Sequence, residues 1–279
     1  MNAGMRKFAA STSYYFRNYY RSRSFYLMLV ISLLVSGLMT YFTFKYSNNL
    51  TDILPNLKLT SVSLTTKESV FGYVWAYVLI ELPVFSSVFF GSSAISSEIE
   101  NRTAFQIFTL PISRTSLLLS KYLAAVMVTI IITLVYLVIQ AGTFLLVFPA
   151  PLIGGFFNSI WLLVIFIFSM TAFTFMISSI FNKNTYAYIS VFLIYFLIFN
   201  AYQIISEFLY RSTPFYLLDT AASIVEKVYL NVSLSPFNFS FSLNPAGYSD
   251  IMQSILVMII YTIISMAVAL IIFERKEVK

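Results

Sequence analysis

The 279-residue chain has no cysteine and no histidine. Their absence excludes disulfides, thiolate nucleophiles, histidine-ligated haem and most zinc or copper centres. Aspartate occurs only at Asp52, Asp219 and Asp250, none inside a long apolar run, which excludes a paired intramembrane aspartyl protease. The eight glycines form no G-x-x-x-x-G-K-[ST], so the chain carries no P-loop for ATP. Charge is scarce as well: 10% of residues are charged, 59% are hydrophobic and the mean hydropathy is +0.85. That composition belongs to membrane proteins rather than to soluble domains.

What is present is a series of apolar runs long enough to cross ~30 Å of hydrocarbon. Six qualify: Phe25–Phe44, Val70–Ala94, Leu123–Phe148, Phe156–Phe181, Tyr186–Phe208 and Ile251–Phe273. The expected fold is an all-α integral membrane protein with six transmembrane helices in one transmembrane domain, followed by a tail from residue 274. The Lys and Arg of the loops set the orientation. With the N-terminus inside, Arg6, Lys7, Arg17, Arg21, Arg23, Arg102, Arg114, Lys121, Lys183, Arg275, Lys276 and Lys279 are cytoplasmic. Lys45, Lys58, Lys67, Arg211 and Lys227 are outside. Both termini are therefore expected in the cytoplasm of a multi-pass plasma-membrane protein, with a prokaryotic source favoured. These basic residues flank spans and form no single patch, so no nucleic-acid partner is expected.

The first 24 residues read as an amphipathic interfacial helix with Phe8, Tyr15, Tyr19 and Phe25 at helical spacing. An unstructured basic flank is the alternative. Residues 45–68 read as outer loop. Leu217, Leu218, Ala221, Ile224, Val225 and Val228 fall on one face of a short outer surface helix. Asn49, Asn231 and Asn238 open sequons on the outer side.

Between the second and third runs lies a polar island, SSEIENRTAFQIFTLPISRTSLLLSK, from Ser96 to Lys121. Ser97 and Glu100 read as a capping box, Glu98 stands four residues before Arg102, Pro111 stops the helix, and Ser113 caps the next one. The run Glu98 or Glu100, Arg102, Thr103, Leu110, Pro111, Ile112, Ser113, Arg114 and Lys121 resembles the first cytoplasmic loop of ABC transporter permeases of the type-2 (exporter) class. The resemblance implies a transmembrane subunit of an ATP-driven exporter that binds no cofactor itself. ATP and Mg would be bound by a separate cytosolic ABC ATPase dimer, beside a second copy of this chain or a paralogous permease. It also implies a cytoplasmic coupling helix over Ile99 to Leu110 that moves the second and third spans in alternating access. Glu98, Glu100 and Arg102 would be its charged face, and Ile99, Phe105, Phe108 and Leu110 its apolar face, with Thr103 and Arg114 completing the motif. The amphipathic N-terminal segment would be an elbow in the inner-leaflet lipid beside the ATPase. A membrane scaffold that recruits a soluble protein through the same loop, moving no solute, is the alternative.

Candidates for the translocation path are polar groups inside the runs. Glu81 is a carboxyl near mid-span, costing at least ~2.5 kcal/mol if ionised in lipid. It lies two residues before Pro83, which frees the carbonyl of Leu79. Glu81 either lines the route or a subunit interface, or is a protonated hydrogen bonder inside the bundle. Asn200, Gln203 and Glu207 recur at i, i+3 and i+7, as a conduit wall or an interhelical ladder. Gln140 reads as a bond across helices. Gly72, Ala76, Ser87 and Gly91 form a small-residue stripe, suited to close packing within the chain or to a homodimer seam.

Overall fold

The computed structural model describes residues 3–47, 64–101, 112–148, 154–210, 213–231 and 244–275. Among them the secondary structure is helical, without strands, and six helices are long and apolar enough to cross a membrane. This agrees with the all-α, six-span expectation. Backbone polar groups in hydrocarbon must be satisfied within each segment, which helices alone achieve without closing a barrel.

The chain opens with α1 (Ala3–Tyr20), then span one, α2 (Arg23–Tyr46). Ser22 makes the corner between them. Its hydroxyl accepts from Phe25 N at 3.2 Å and donates to Tyr19 O at 2.7 Å. Span two is α3 (Leu64–Gly91), which continues through Pro83 and, after a turn at Ser92, leads into α4 (Ser93–Glu100). Span three is α5 (Arg114–Val147) and span four is α6 (Gly154–Ile180). Span five starts as α7 (Asn184–Phe192), widens into a π-helical stretch over Leu193–Phe199, and resumes as α8 (Asn200–Ile205). A second π stretch, Ser206–Tyr210, follows. Two short helices, α9 (Leu218–Ala222) and α10 (Ile224–Lys227), precede span six, α11 (Tyr248–Arg275).

Spans two, three and four form the centre. Their most apolar windows are 72, 56 and 67% buried, against 22, 17 and 28% for spans one, five and six. Span one packs on span three, span six on span four, and α1 lies along α5. The outer three spans thus present broad apolar surface, including Leu34, Leu38, Leu197 and Ile263, as lipid contact requires. Several hydroxyl residues inside the spans are satisfied locally. Thr40, Thr43, Thr133 and Thr143 each donate to the carbonyl four residues earlier at 2.8 to 2.9 Å, which lets a span carry Thr at little cost.

The small-residue stripe of α3 faces inward. Ser87 shares a 3.0 Å hydrogen bond with Thr171 of α6. A Cβ on Gly91 would collide with the Thr174 side chain, and one on Gly72 with the Tyr229 ring. Of the two readings, packing within the chain is the one observed at these positions. The helix expected over residues 217–228 is instead two short helices, broken at Ser223. Its apolar face is buried against the bundle, with α10 on α3 and α6, and α9 on α11, so it is no surface helix. Tyr229 drives this segment inward. Its hydroxyl meets Gln140 Nε2 at 3.3 Å and Ser159 Oγ at 2.9 Å, and its ring needs the missing side chain of Gly72. The expected loop also ends early, since α3 is helical from Leu64.

Candidate functional site

At the end of the bundle that carries α1, the start of the polar island is fastened from several sides. The turn at Ser92 leaves the first N–H groups of α4 without helical acceptors. Ser178 of α6 supplies one: its hydroxyl oxygen accepts from Ile95 N and Ser96 N at 3.1 and 3.2 Å and donates to Ser92 O at 2.7 Å. Lys121 of α5 is buried. Its ammonium donates to Ala94 O at 2.7 Å, pairs with Glu98 and lies 5.0 Å from the Tyr15 ring centroid. Glu100 Oε2 accepts from Asn184 N at 2.8 Å, a carboxylate on the first turn of span five, where the helix dipole favours it. Tyr188 of α7 donates to Phe89 O at 3.1 Å. The side chains of Glu98 and Glu100 thus tie α4 to α5 and α7, Ser178 ties its backbone to α6, and Lys121 adds α1.

This geometry corrects the capping-box reading. Ser97 lies inside α4 and its hydroxyl bonds back to Ser93 O, while Glu100 reaches forward to another helix. The local pattern was overridden because Ser178, distant in sequence, caps the helix four residues earlier. Glu98 also finds its cation in Lys121. Its expected partner Arg102 lies outside the described residues, as do Thr103, Phe105, Phe108 and Leu110, so most of the coupling helix does too. Ile99 is half-buried against the core. Ser113 caps α5 as expected, accepting from Ser116 N at 3.3 Å. Arg114 donates to Glu274 O at 2.9 Å and Thr115 to Glu274 Oε1 at 2.9 Å. A cation thus sits on the last carbonyls of span six, where helix ends favour it.

A second constellation lies toward the opposite end, along one stripe of α3. Tyr73, Tyr77, Glu81, Phe85 and Phe89 recur every four residues and none of them is fully buried. Tyr77 is 59% exposed. The lower half is partly covered by span five, with Phe85 5.6 and 5.7 Å from the rings of Phe192 and Phe196. The upper half meets the α9–α10 segment. There Asp219 and Glu226 lie within electrostatic reach of Glu81, joined by Tyr195 from the π-helical stretch, whose hydroxyl lies beside the Asp219 carboxyl. Glu81 Oε2, Glu226 Oε2 and the Tyr195 hydroxyl are buried and complete no hydrogen bond of good geometry. Burial raises the Asp219 and Glu226 carboxyls from their ordinary values, Glu226 to about 8. Among the described residues, no group of acids is arranged to hold a metal ion.

Glu81 was identifiable from sequence because a carboxyl in an apolar run is costly. Asp219 and Glu226 were not, since they lie in a connection where acids are ordinary. Pro83 is buried in α3 beside this stripe. Asn200 and Gln203 are half-buried on α8, and the side chain of Glu207 lies outside the described residues. The π stretch at Ser206–Tyr210 also departs from the 3.6-residue period on which the three-residue face was drawn.

Six apolar helices, an amphipathic helix at the head and a polar segment clamped at one end define a polytopic membrane protein of the permease kind. A family model described as ABC-2 family transporter protein matches residues 15–278, and the chain belongs to that family. It is accordingly a membrane subunit of an ABC transporter, the kind of subunit that pairs with an ABC ATPase. A comparison with curated proteins found no match.

Proposed function

We propose that the chain is the permease subunit of an ATP-driven exporter, with no ATPase site of its own, served by a cytosolic ABC ATPase dimer and working beside a second permease copy in the plasma membrane. Both termini and the Glu98 and Lys183 loops are cytoplasmic in this reading. ATPase closure acts on the segment from Glu98 to Arg114. Because α4 is fastened to α5, α6, α7 and, through Lys121, α1, displacement of that segment moves several spans as a unit, giving alternating access. The observation that carries the proposal is this clamp: Lys121 on Ala94 O and Glu98, with Glu100 on span five.

The route runs along the half-exposed stripe of α3 around Glu81. A carboxyl cannot face lipid cheaply, so this stripe faces water or the second copy. The test is isolation of the tagged chain from its own membranes in mild detergent. An ABC ATPase should co-isolate, and Glu98→Lys with Glu100→Lys should lower its ATP hydrolysis in the complex. An isolated chain with no ATPase, or a complex indifferent to the double change while the protein remains folded, supports the scaffold reading instead.

A further inference from the structure

The Glu81 face of α3 gathers acids with little counter-charge. Three carboxyls converge there from α3, α9 and α10. The cation acting on Glu226 is its chain neighbour Lys227, which is half-buried, and among the described residues no salt bridge joins the two. Glu226 is 6% exposed and its Oε2 is unpartnered. Tyr195 is 1% exposed, and its hydroxyl is likewise unpartnered while placed beside Asp219. Unsatisfied buried acceptors are costly and are retained where something else completes them. The π-helical stretch that carries Tyr195 is a helix irregularity common at functional sites. Around these acids stand aromatic faces, Tyr73 and Tyr77 above Glu81 and Phe85, Phe192 and Phe196 below it.

We propose that this face of α3 binds the cationic head of a lipophilic organic cation, with the acids as counter-charge and the phenylalanines against its apolar body. The proposal rests on the permease reading and gives its substrate class. A cation supplies what each orphaned oxygen lacks, and aromatic faces add cation–π attraction. Without it, Glu226 keeps its proton because burial raises its carboxyl. A bound cation offsets the cost of ionising that carboxyl, so occupancy releases a proton. An anion would find only the half-buried Lys227 as counter-charge, and a neutral amphiphile would offer the acids none.

The experiment uses two probes of nearly the same size and shape and opposite charge, tetraphenylphosphonium and tetraphenylborate. Binding of each is measured to the full chain in zwitterionic lipid nanodiscs, without ATPase or nucleotide, after subtracting empty discs. Saturable binding of tetraphenylphosphonium alone is expected. Glu81→Gln with Glu226→Gln should weaken it at least tenfold, or ~1.4 kcal/mol. Tyr77→Ala, at a position 59% exposed, should weaken it several-fold. Equal binding of the two probes, or unchanged tetraphenylphosphonium affinity in both variants, overturns the proposal. If the double variant loses its thermal transition, Tyr77→Ala decides alone. Since no ATPase is present, probe binding that persists in a chain lacking any ATP-linked activity sinks the permease reading and spares the site. ATP-linked activity without charge preference does the reverse.

Discussion

Lys121 offers a quantitative check on the clamp. Its side chain is 3% exposed and that of Glu98 16%, so the pair is desolvated on the lysine side and only partly on the other. Lys121→Met keeps the length and packing of the side chain but leaves the Ala94 carbonyl without its donor and Glu98 without its cation. Removing one member of a buried pair costs ~3–5 kcal/mol; the partial exposure of Glu98 puts the expectation at the lower end, ~3 kcal/mol. For a chain this long that corresponds to a fall of roughly 6–12 °C in thermal midpoint. The assay is intrinsic fluorescence melting in detergent. Adding Glu98→Gln to Lys121→Met removes the stranded charge and should recover about half the loss, so the coupling in the double-mutant cycle is ~1.5 kcal/mol plus whatever Glu98→Gln costs alone. A Lys121→Met variant that melts with the wild type, or a double variant whose loss is the sum of the singles, refutes the clamp as a cooperative unit.

Gly91→Ala places a Cβ on the Thr174 side chain, its hydroxyl oxygen being the nearest atom, and should destabilise by ~1–3 kcal/mol, with Thr174→Ala, which removes that oxygen, restoring part of the melting temperature. A neutral result would mean that α3 and α6 do not approach so closely. Glu226 predicts an unusual pH trend. Burial, with Lys227 opposing and Asp219 and Glu81 adding, raises its carboxyl from 4.5 to about 8, so between those values the native state holds a proton that the unfolded state has lost. Stability then falls as pH rises through that window, and Glu226→Gln should flatten the decline in melting temperature. An unchanged slope contradicts the burial argument. For topology, impermeant thiol reagents on intact cells should label Asn231→Cys and spare Asn101→Cys in this cysteine-free chain, and the opposite pattern inverts the orientation.

The spans were readable because hydrocarbon imposes a length and an apolarity that short-range sequence reports directly. Arg23–Tyr46 against the expected Phe25–Phe44, and Gly154–Ile180 against Phe156–Phe181, differ by one or two residues at each end. The Ser113 cap was also legible, being a local device. What escaped the sequence depends on partners far apart in the chain. Ser178 caps α4 across 82 or 83 residues, and that relocation is what defeated the Ser97–Glu100 capping box. Lys121 looked like an ordinary membrane flank but is buried under Tyr15 and Glu98. Tyr229 inserts into the bundle because Gly72, Gln140 and Ser159 leave it a polar-ended slot, a fit no periodicity signals. The α9–α10 segment showed its apolar face in the sequence but not what that face would cover. Glu81 was legible as an oddity and became a site only once Asp219, Glu226 and Tyr195 were placed around it.

The central claim, that ATP turnover in a partner moves the Glu81 face of this chain, has a direct measurement. Tyr77→Cys introduces the sole thiol on the exposed part of that stripe. A spin label there, in the complex with its ATPase reconstituted in nanodiscs, reports the distance between two permease copies by pulsed electron resonance. The account predicts one distance distribution without nucleotide and a clearly shifted one after vanadate trapping with ATP and Mg. Identical distributions in the two states, from a complex that hydrolyses ATP, would contradict it.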